Sequence, residues 1–246
     1  MTASISIVIP VRNDAEALAR TLAQLERDAP AGTEIVVAAA GPRTAVEQAA
    51  RGRARLIWPE GSTRARLMNA GAEVARGEVL FFLHADSCPP PGALALIGRA
   101  LADPGVVGGA FDHRFTEPVW SLRLLTWMNR VRYRLTRNYY GDQGIFVRAR
   151  VFHAVVGYPD QALLEDVVLS QRLRRCGRYV LIPAPLLTSG RRFLARGPWR
   201  TAGVIAWLLL LHTLGLDTER YAEHWRGPAH LPPGSPWPTP AGRGDE

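Results

Sequence analysis

Cysteine is nearly missing from this 246-residue chain. Cys88 and Cys176 stand far apart without a C-x-x-C pattern, which argues against a disulfide framework or a zinc knuckle and suits a reducing, cytoplasmic compartment. Long apolar runs are missing too. The most hydrophobic window, "TAGVIAWLLLLHTLGL", carries His212 and falls short of the roughly twenty apolar residues that a spanning helix needs, so it reads as a buried or interfacial helix. The N-terminus, "MTASISIVIPVRND", lacks a basic region followed by a long apolar stretch and reads as a first core strand, not a secretion signal. There is no internal repeat, no G-x-G-x-x-G and no lysine-bearing phosphate loop of the Walker type.

What is present is enough apolar material, 47% of residues, for one sizeable core. One domain over residues 1–226 is expected, followed by a tail, "GPAHLPPGSPWPTPAGRGDE", whose proline and glycine content predicts disorder over 227–246. Thirty basic against twenty-two acidic side chains give +8, concentrated in the second half in "RLLTWMNRVRYRLTRN" and "SGRRFLARGPWR". Such patches suit phosphates, nucleic acid or a lipid surface. Nucleic acid is not expected as a partner, because no reader motif accompanies the charge.

Apolar runs and helical periodicities alternate along the chain. "SISIVIP" and "TEIVVAAAG" are strand-like, as are "RARLIWP" and "EVLFFLHAD". Between them "DAEALARTLAQLERDA", capped at Asn13 or Asp14, "RTAVEQAARG" and "TRARLMNAGAEVARG", ended at Gly77, read as helices. The alternation predicts an α/β fold with a mostly parallel sheet flanked by helices on both faces. Further on come a helix in "GALALIGRALAD", a strand in "VVGGAFDHRF" and a long basic amphipathic helix from Val119 to Asn138. Then follow a strand and short helix in "GIFVRARVFHAVVGYPD", a helix in "EDVVLSQRLRRCG" and an edge or terminal strand in "RYVLIPAPL".

Ligands of open α/β sheets bind at the carboxyl ends of strands. Three strand ends carry polar groups here: Pro10-Val11-Arg12-Asn13, the "AAGPR" loop, and His84-Ala85-Asp86. Asp86 follows a strand too apolar to face solvent, so its carboxylate belongs at the rim, either holding Mg2+ or Mn2+ between diphosphate oxygens or capping the turn before "CPPPG". His84, two residues earlier, is expected on the same side, as a satisfied semi-buried histidine more than as a metal ligand. Glu165 and Asp166 open a helix, where anions are stabilised by the macrodipole and where a fixed base for a hydroxyl could equally stand. Arg64 and Arg66 start the "LMNAG" helix, placed to pair with phosphate. Tyr140, Asp142 and Gln143 in "NYYGDQGIF" suit an acceptor or a plain turn built on Gly141 and Gly144.

Together, "SIVIPVRND", "RARLMNAGAEVARGEVLFFLHADSCPPPGAL", "YGDQGIFVRARVFHAVVGYPD" and "LLEDVVLSQRLRRCGR" resemble the family 2 glycosyltransferases of the GT-A fold. Within them the chain is most similar to the small bacterial subgroup called radical-SAM/selenodomain-associated transferase 2. The resemblance runs from about Ile5 to Arg192. It implies a Rossmann-like nucleotide-diphospho-sugar transferase sheet, with a nucleotide-binding half over about 1–90 and an acceptor half over about 91–226. The family's D-x-D corresponds to His84-Ala85-Asp86, which gives Asp86 the metal role and His84 a contact to the nucleotide ribose. The family's E-D pair corresponds to Glu165 and Asp166, with Asp166 as catalytic base of an inverting transfer and Glu165 helping to position the acceptor or the base. Pro10, Val11 and Asn13 then line the base pocket, and Arg64, with Arg66 second, meets the diphosphate. The chain departs from the family after the second strand, where "AAAGPR" replaces an acidic run. It also lacks the Q-x-x-R-W motif of processive synthases, although "SGRRF" is a distant echo.

The resemblance thus implies a metal-dependent transfer of one sugar from a nucleotide-diphosphate sugar to a hydroxyl acceptor, lipid-like (a carotenoid or polyprenol) among the candidates. The enzyme would sit peripherally at the inner face of the cell membrane, the basic helix lying in the interface. The alternative is a catalytically weakened relative that binds a nucleotide sugar or a membrane without turnover. A nucleotidyltransferase would need a glycine-rich phosphate loop that "VIPVRND" is not.

Overall fold

The computed structural model describes residues 3–222, so the tail expected to be disordered lies outside the described residues. The first half alternates as its periodicities predict. β1 (Ile5–Val11), α1 (Ala15–Asp28), β2 (Glu34–Ala39), α2 (Arg43–Ala50), β3 (Arg55–Ile57), α3 (Arg64–Val74) and β4 (Val79–Phe82) follow one another. The second half contributes β5 (Ser87–Cys88), α4 (Ala93–Ala100), β6 (Val106–Phe115), α5 (Trp120–Thr136), β7 (Ile145–Arg148) and α6 (Ala149–Ala154). It closes with α7 (Glu165–Cys176), β8 (Arg178–Thr188), α8 (Arg191–Arg196) and α9 (Pro198–Thr213).

Among the described residues all eight strands share one sheet in the order β3-β2-β1-β4-β7-β6-β8-β5. β3, β2, β1 and β4 pair in parallel, β7 is antiparallel to both β4 and β6, and β8 returns parallel to β6. The strands read as unbroken apolar runs because both faces are covered. Alternate residues therefore serve opposite layers. Ile7, Ile9 and Phe81 pack with Leu18 and Leu22 of α1 on one side. Val8, Leu80 and Phe82 pack with Met68 of α3 and Leu169 and Leu173 of α7 on the other.

Three local expectations are revised. β4 ends at Phe82, before His84, although the Leu83 N–H still donates to the Val8 carbonyl at 3.0 Å. The chain then turns, with the Ser87 N–H donating to the His84 carbonyl, so His84 and Asp86 sit on a turn at the rim and not on the strand itself. β8, read as an edge or terminal strand, is the last strand along the described chain but lies second from the edge of the sheet: β5 covers it, with Ser87 opposite Thr188 and their hydroxyls 3.1 Å apart. α3 stops at Val74, ahead of Gly77. Gly77 instead marks a close approach, because a β-carbon there would lie 2.6 Å from the Ser6 backbone nitrogen.

Candidate active site

The amino ends of α3 and α7 converge at the carboxyl rim of the sheet. Thr63 caps α3 by accepting the Arg66 N–H at 3.2 Å, which fixes Arg64 in the first turn. At the start of α7, Leu164 adopts the left-handed conformation, φ 59°, a strained geometry for a leucine, immediately before Glu165 and Asp166. Strain of this kind persists where surrounding structure holds the chain in place for a purpose.

The two starts lock together. Arg64 Nε donates to Glu165 Oε1, and its Nη2 stands 3.7 Å from Asp166 Oδ2. Arg64 Nη1 lies 3.4 Å from His84 Nε2, so the rim turn after β4 joins the same cluster. Asp166 is held from two sides: its Oδ2 accepts the Gly141 N–H at 2.7 Å and its Oδ1 accepts the Val167 N–H at 2.8 Å. Gly141 is a close approach too, since a β-carbon there would lie 2.7 Å from His84 Nε2. Glu165 Oε2 and the Tyr140 hydroxyl are buried at this site without a hydrogen-bond partner among the described residues, an arrangement that native interiors seldom tolerate without a ligand or water.

Burial and neighbouring charges tune these groups in different directions. Burial raises the Asp166 carboxyl to about 6; the Glu165 charge adds to the rise and Arg64 opposes it. Burial works against the Arg64 charge, but Glu165 and Asp166 more than offset it and hold the guanidinium ionised. His84 is kept well below the usual imidazole range by burial and by Arg64 and Arg192, so the ring is neutral at pH 7. Asp86 is raised by burial, against the pull of Arg192 and with a push from Asp142.

Truncating Arg64→Ala is expected to strand Glu165, only 1% exposed, without its cation. A fully buried pair broken this way loses about 3–5 kcal/mol. Because Arg64 keeps 39% of its side chain exposed, solvent reduces the expected loss to roughly 2 kcal/mol. Urea unfolding at pH 7 measures it, and a loss under about 0.5 kcal/mol would place the pair among ordinary surface bridges.

The remaining candidates occupy different positions. Pro10 and Val11 are buried at the end of β1, while Asn13 is exposed in the loop beyond. Asp14 caps α1 and pairs with Arg191 of α8, and Arg191 lies 4.0 Å from Asp86, so this loop and Asp86 face a common basic helix. Arg66 points elsewhere, in a bidentate surface pair with Asp160, the closest approach being 2.6 Å. Gln143 has both ends engaged, accepting the Tyr140 N–H at 3.0 Å and donating to the Phe111 carbonyl at 3.1 Å. The Tyr140 ring lies 3.6 Å under the Arg132 guanidinium, and Asp142 Oδ2 is 3.5 Å from Nε2 of the buried His113.

Sequence reasoning did not single out Arg191, Arg192, His113 or the Gly141 N–H. "SGRRF" was the available signal for the arginines. Nothing in the local pattern around Gly141 or His113 announces that folding brings them to Asp166 and Asp142.

A divalent cation requires hard oxygen donors. Among the described residues no cluster of three or more histidine, cysteine or acidic side chains stands ready to enclose one. Asp86 is a half-buried rim carboxylate whose nearest cationic atom is the Arg191 Nη2 at 4.0 Å, and the Asp142 charge reaches it. Mg2+ and Mn2+ commonly use one or two carboxylates, with waters and substrate phosphates completing the shell. The residues present therefore fit a cation carried in with a diphosphate, led by Asp86, and not a closed all-protein cage.

Among solved structures, the mannosyltransferase PcManGT from Pyrobaculum calidifontis, in complex with GDP-Man and Mn2+, superposes with a TM-score of 0.61 at 18% identity. The match covers 80% of this chain and 62% of that one. S. aureus TarS residues 1–349 match with a TM-score of 0.59 at 14% identity over 78% of this chain and 62% of that one; the same fragment with UDP-GlcNAc gives 0.59 at 12% over 76% and 58%. The chain thus spans about three fifths of the length of these neighbours, and the likeness establishes the GT-A type of α/β fold. A comparison with curated proteins returns no match. Residues 6–155 match the model of glycosyl transferase family 2, which covers more than half of the sequence, and the chain belongs to that family.

Proposed function

We propose that the protein transfers one sugar, with inversion, from a nucleotide-diphosphate sugar to a hydroxyl acceptor. The observation that carries the reading is the cluster in which Arg64 binds Glu165 and approaches both Asp166 and His84 at the rim that also carries Asp86. The first half, about 1–90, would take the donor through Pro10, Val11 and Asn13. The second half would present the acceptor beside Tyr140 and Asp142, with Gln143 bracing their turn.

Asp166, held by two backbone N–H groups, accepts the proton of the acceptor hydroxyl. The acceptor oxygen forms its bond to the anomeric carbon as the bond to the diphosphate oxygen breaks on the opposite face, and the electron pair leaves with the diphosphate. Arg64 and Arg192, whose charges both reach His84 and Asp86, would meet that developing charge, the largest electrostatic task in such a transfer. A divalent cation held by Asp86 would supply Lewis-acid neutralisation of the diphosphate. Neutral His84 can donate or accept a single hydrogen bond at the ribose. Glu165 fixes Arg64, and through it the orientation of the pair.

The PcManGT complex holds GDP-Man with Mn2+ and the TarS fragment holds UDP-GlcNAc, which supports the donor class. A cytoplasmic location with peripheral contact at a membrane face, and a lipid-like acceptor, complete the reading. Among the described residues no helix is long and apolar enough to cross a membrane. A second reading, binding without turnover, is favoured by one feature: β2 ends in Ala38 and Ala39 and is followed by Arg43 stacked 4.5 Å over Trp58, with no acid in "AAAGPR".

A thermal-shift screen of nucleotide-diphosphate sugars, each with and without Mn2+, tests the donor class. A ligand at a hundred times its Kd stabilises by about 2.7 kcal/mol. For a chain of this size that corresponds to a rise in Tm of roughly 5–10 °C. A cation-dependent rise with at least one donor is expected, and no rise with any of them would contradict the reading.

A further inference from the structure

Two helices leave apolar faces uncovered among the described residues, and they do so with the same spacing. On α5 the exposed apolar positions are Trp120, Leu124, Trp127, Met128, Val131 and Leu135, at offsets 0, 4, 7, 8, 11 and 15 that fall on a single helical stripe. On α9 and its end the corresponding positions are Trp199, Gly203, Ala206, Trp207, Leu210 and Leu214, identical in interval. The stripes meet where the Trp120 and Trp199 rings pack 5.9 Å apart. The opposite faces are fixed to the body: Leu122 and Leu125 of α5 pack with Ala202 of α9, and Leu208 packs with Leu163. The exposure is large, 68% for Trp120, 60% for Trp127, 80% for Leu135 and 51% for Trp207, where buried helix faces would show almost none.

Charge selects the occupant. Arg123, Arg134 and Arg137 are exposed along one flank of the α5 stripe, and α5, α8 and α9 contain no acidic residue. We infer that the paired faces of α5 and α9 form a docking platform for the surface of an anionic phospholipid bilayer. The tryptophans and leucines enter the boundary between headgroups and acyl chains, and the arginines meet lipid phosphates. Indole rings suit that boundary, with an apolar body and one N–H. A second copy is the poorer occupant, because isologous pairing would bring the same basic helices together with no acidic residue on α5, α8 or α9 of either copy to answer their arginines.

The platform is tied directly to the rim. α8 carries Arg191 and Arg192 beside Asp86 and runs through Gly197 into α9. Docking would therefore bring the membrane to the side of the site from which a lipid-like hydroxyl arrives. That last step rests on the proposed transfer; the docking itself does not.

Co-sedimentation of the full chain with vesicles of phosphatidylcholine, with and without phosphatidylglycerol, tests it. Binding at least about tenfold tighter to the anionic vesicles is expected, falling as salt rises. Trp127→Glu combined with Trp207→Glu should weaken it by on the order of a hundredfold with Tm unchanged in the absence of lipid. Arg123→Glu with Arg134→Glu should weaken it by about tenfold or more. Failure of the wild type to bind either vesicle, or wild-type binding by the tryptophan variant, would overturn the inference. So would a lowered Tm of that variant without lipid, which would mean that the face is already covered. A wild-type dimer that the same variant converts to monomer would assign the face to a second copy. Vesicle binding lost while donors still raise Tm counts against the platform alone, and the reverse pattern counts against the proposed transfer alone.

Discussion

Replacing Asp166 by asparagine is expected to reduce sugar transfer by about 10²–10⁴-fold in kcat, the contribution of a positioned general base. Donor affinity should remain nearly intact. The asparagine oxygen can still accept the Gly141 N–H that Asp166 accepts at 2.7 Å, so the loop keeps its place. What disappears is the site for the acceptor proton. The raised carboxyl, about 6, gives the reaction a pH signature. Below that value Asp166 is protonated and cannot act as base; above it the group is ionised. Thus kcat/KM should climb with pH through about 6 and level off toward neutrality, and the asparagine variant should lose that limb. Folding responds with the opposite sign: a carboxyl raised in the native state contributes stability at acid pH that is lost as pH rises through about 6. Steady-state rates from about pH 5 upward would show the limb or its absence. Transfer by the variant at the wild-type rate would remove Asp166 from the chemistry.

Asp86→Ala should act on binding instead. Asp86 is the rim carboxylate that fits a cation, and its side chain makes no contact closer than the Arg191 Nη2 at 4.0 Å among its ion-pair neighbours. Its loss should therefore leave the fold standing. Calorimetric titration of a donor with Mn2+ should show affinity falling by at least the roughly tenfold to hundredfold that disturbances outside the ligand shell already produce at metal sites. In the absence of Mn2+ the two proteins should bind alike. An unchanged Mn2+-dependent titration would move the cation to other residues.

Much of this organisation was legible because local and global signals agree. The runs "SISIVIP", "TEIVVAAAG" and "EVLFFLHAD" become central strands since burial on both faces demands unbroken apolar residues. Polar residues after such runs fall at the rim, so the run alone assigns His84 and Asp86 to it. Less legible were features set by tertiary geometry. β4 stops before His84 because the chain must turn back to form β5, and β8 gains its outer neighbour from only two residues, Ser87 and Cys88. No periodicity encodes so short a strand. Arg64 and Arg66 are near twins in sequence, yet one closes on Glu165 and the other on Asp160, because helical positions two apart face different surroundings. Nor could local pattern reveal that Arg192, far along the chain, returns to Asp86. The α5 stripe was visible as a basic amphipathic helix, but its match with α9 required the Trp120–Trp199 contact.

The most direct measurement is release of nucleoside diphosphate from a panel of nucleotide-diphosphate sugars, with Mn2+ present or chelated, by the wild-type chain and its Asp166→Asn variant. Cation-dependent release from at least one donor by the wild type, stimulated by a hydroxyl acceptor and lost in the variant, is the expected result. Tight donor binding with no release from any donor, or equal release by both proteins, would contradict transfer at this site.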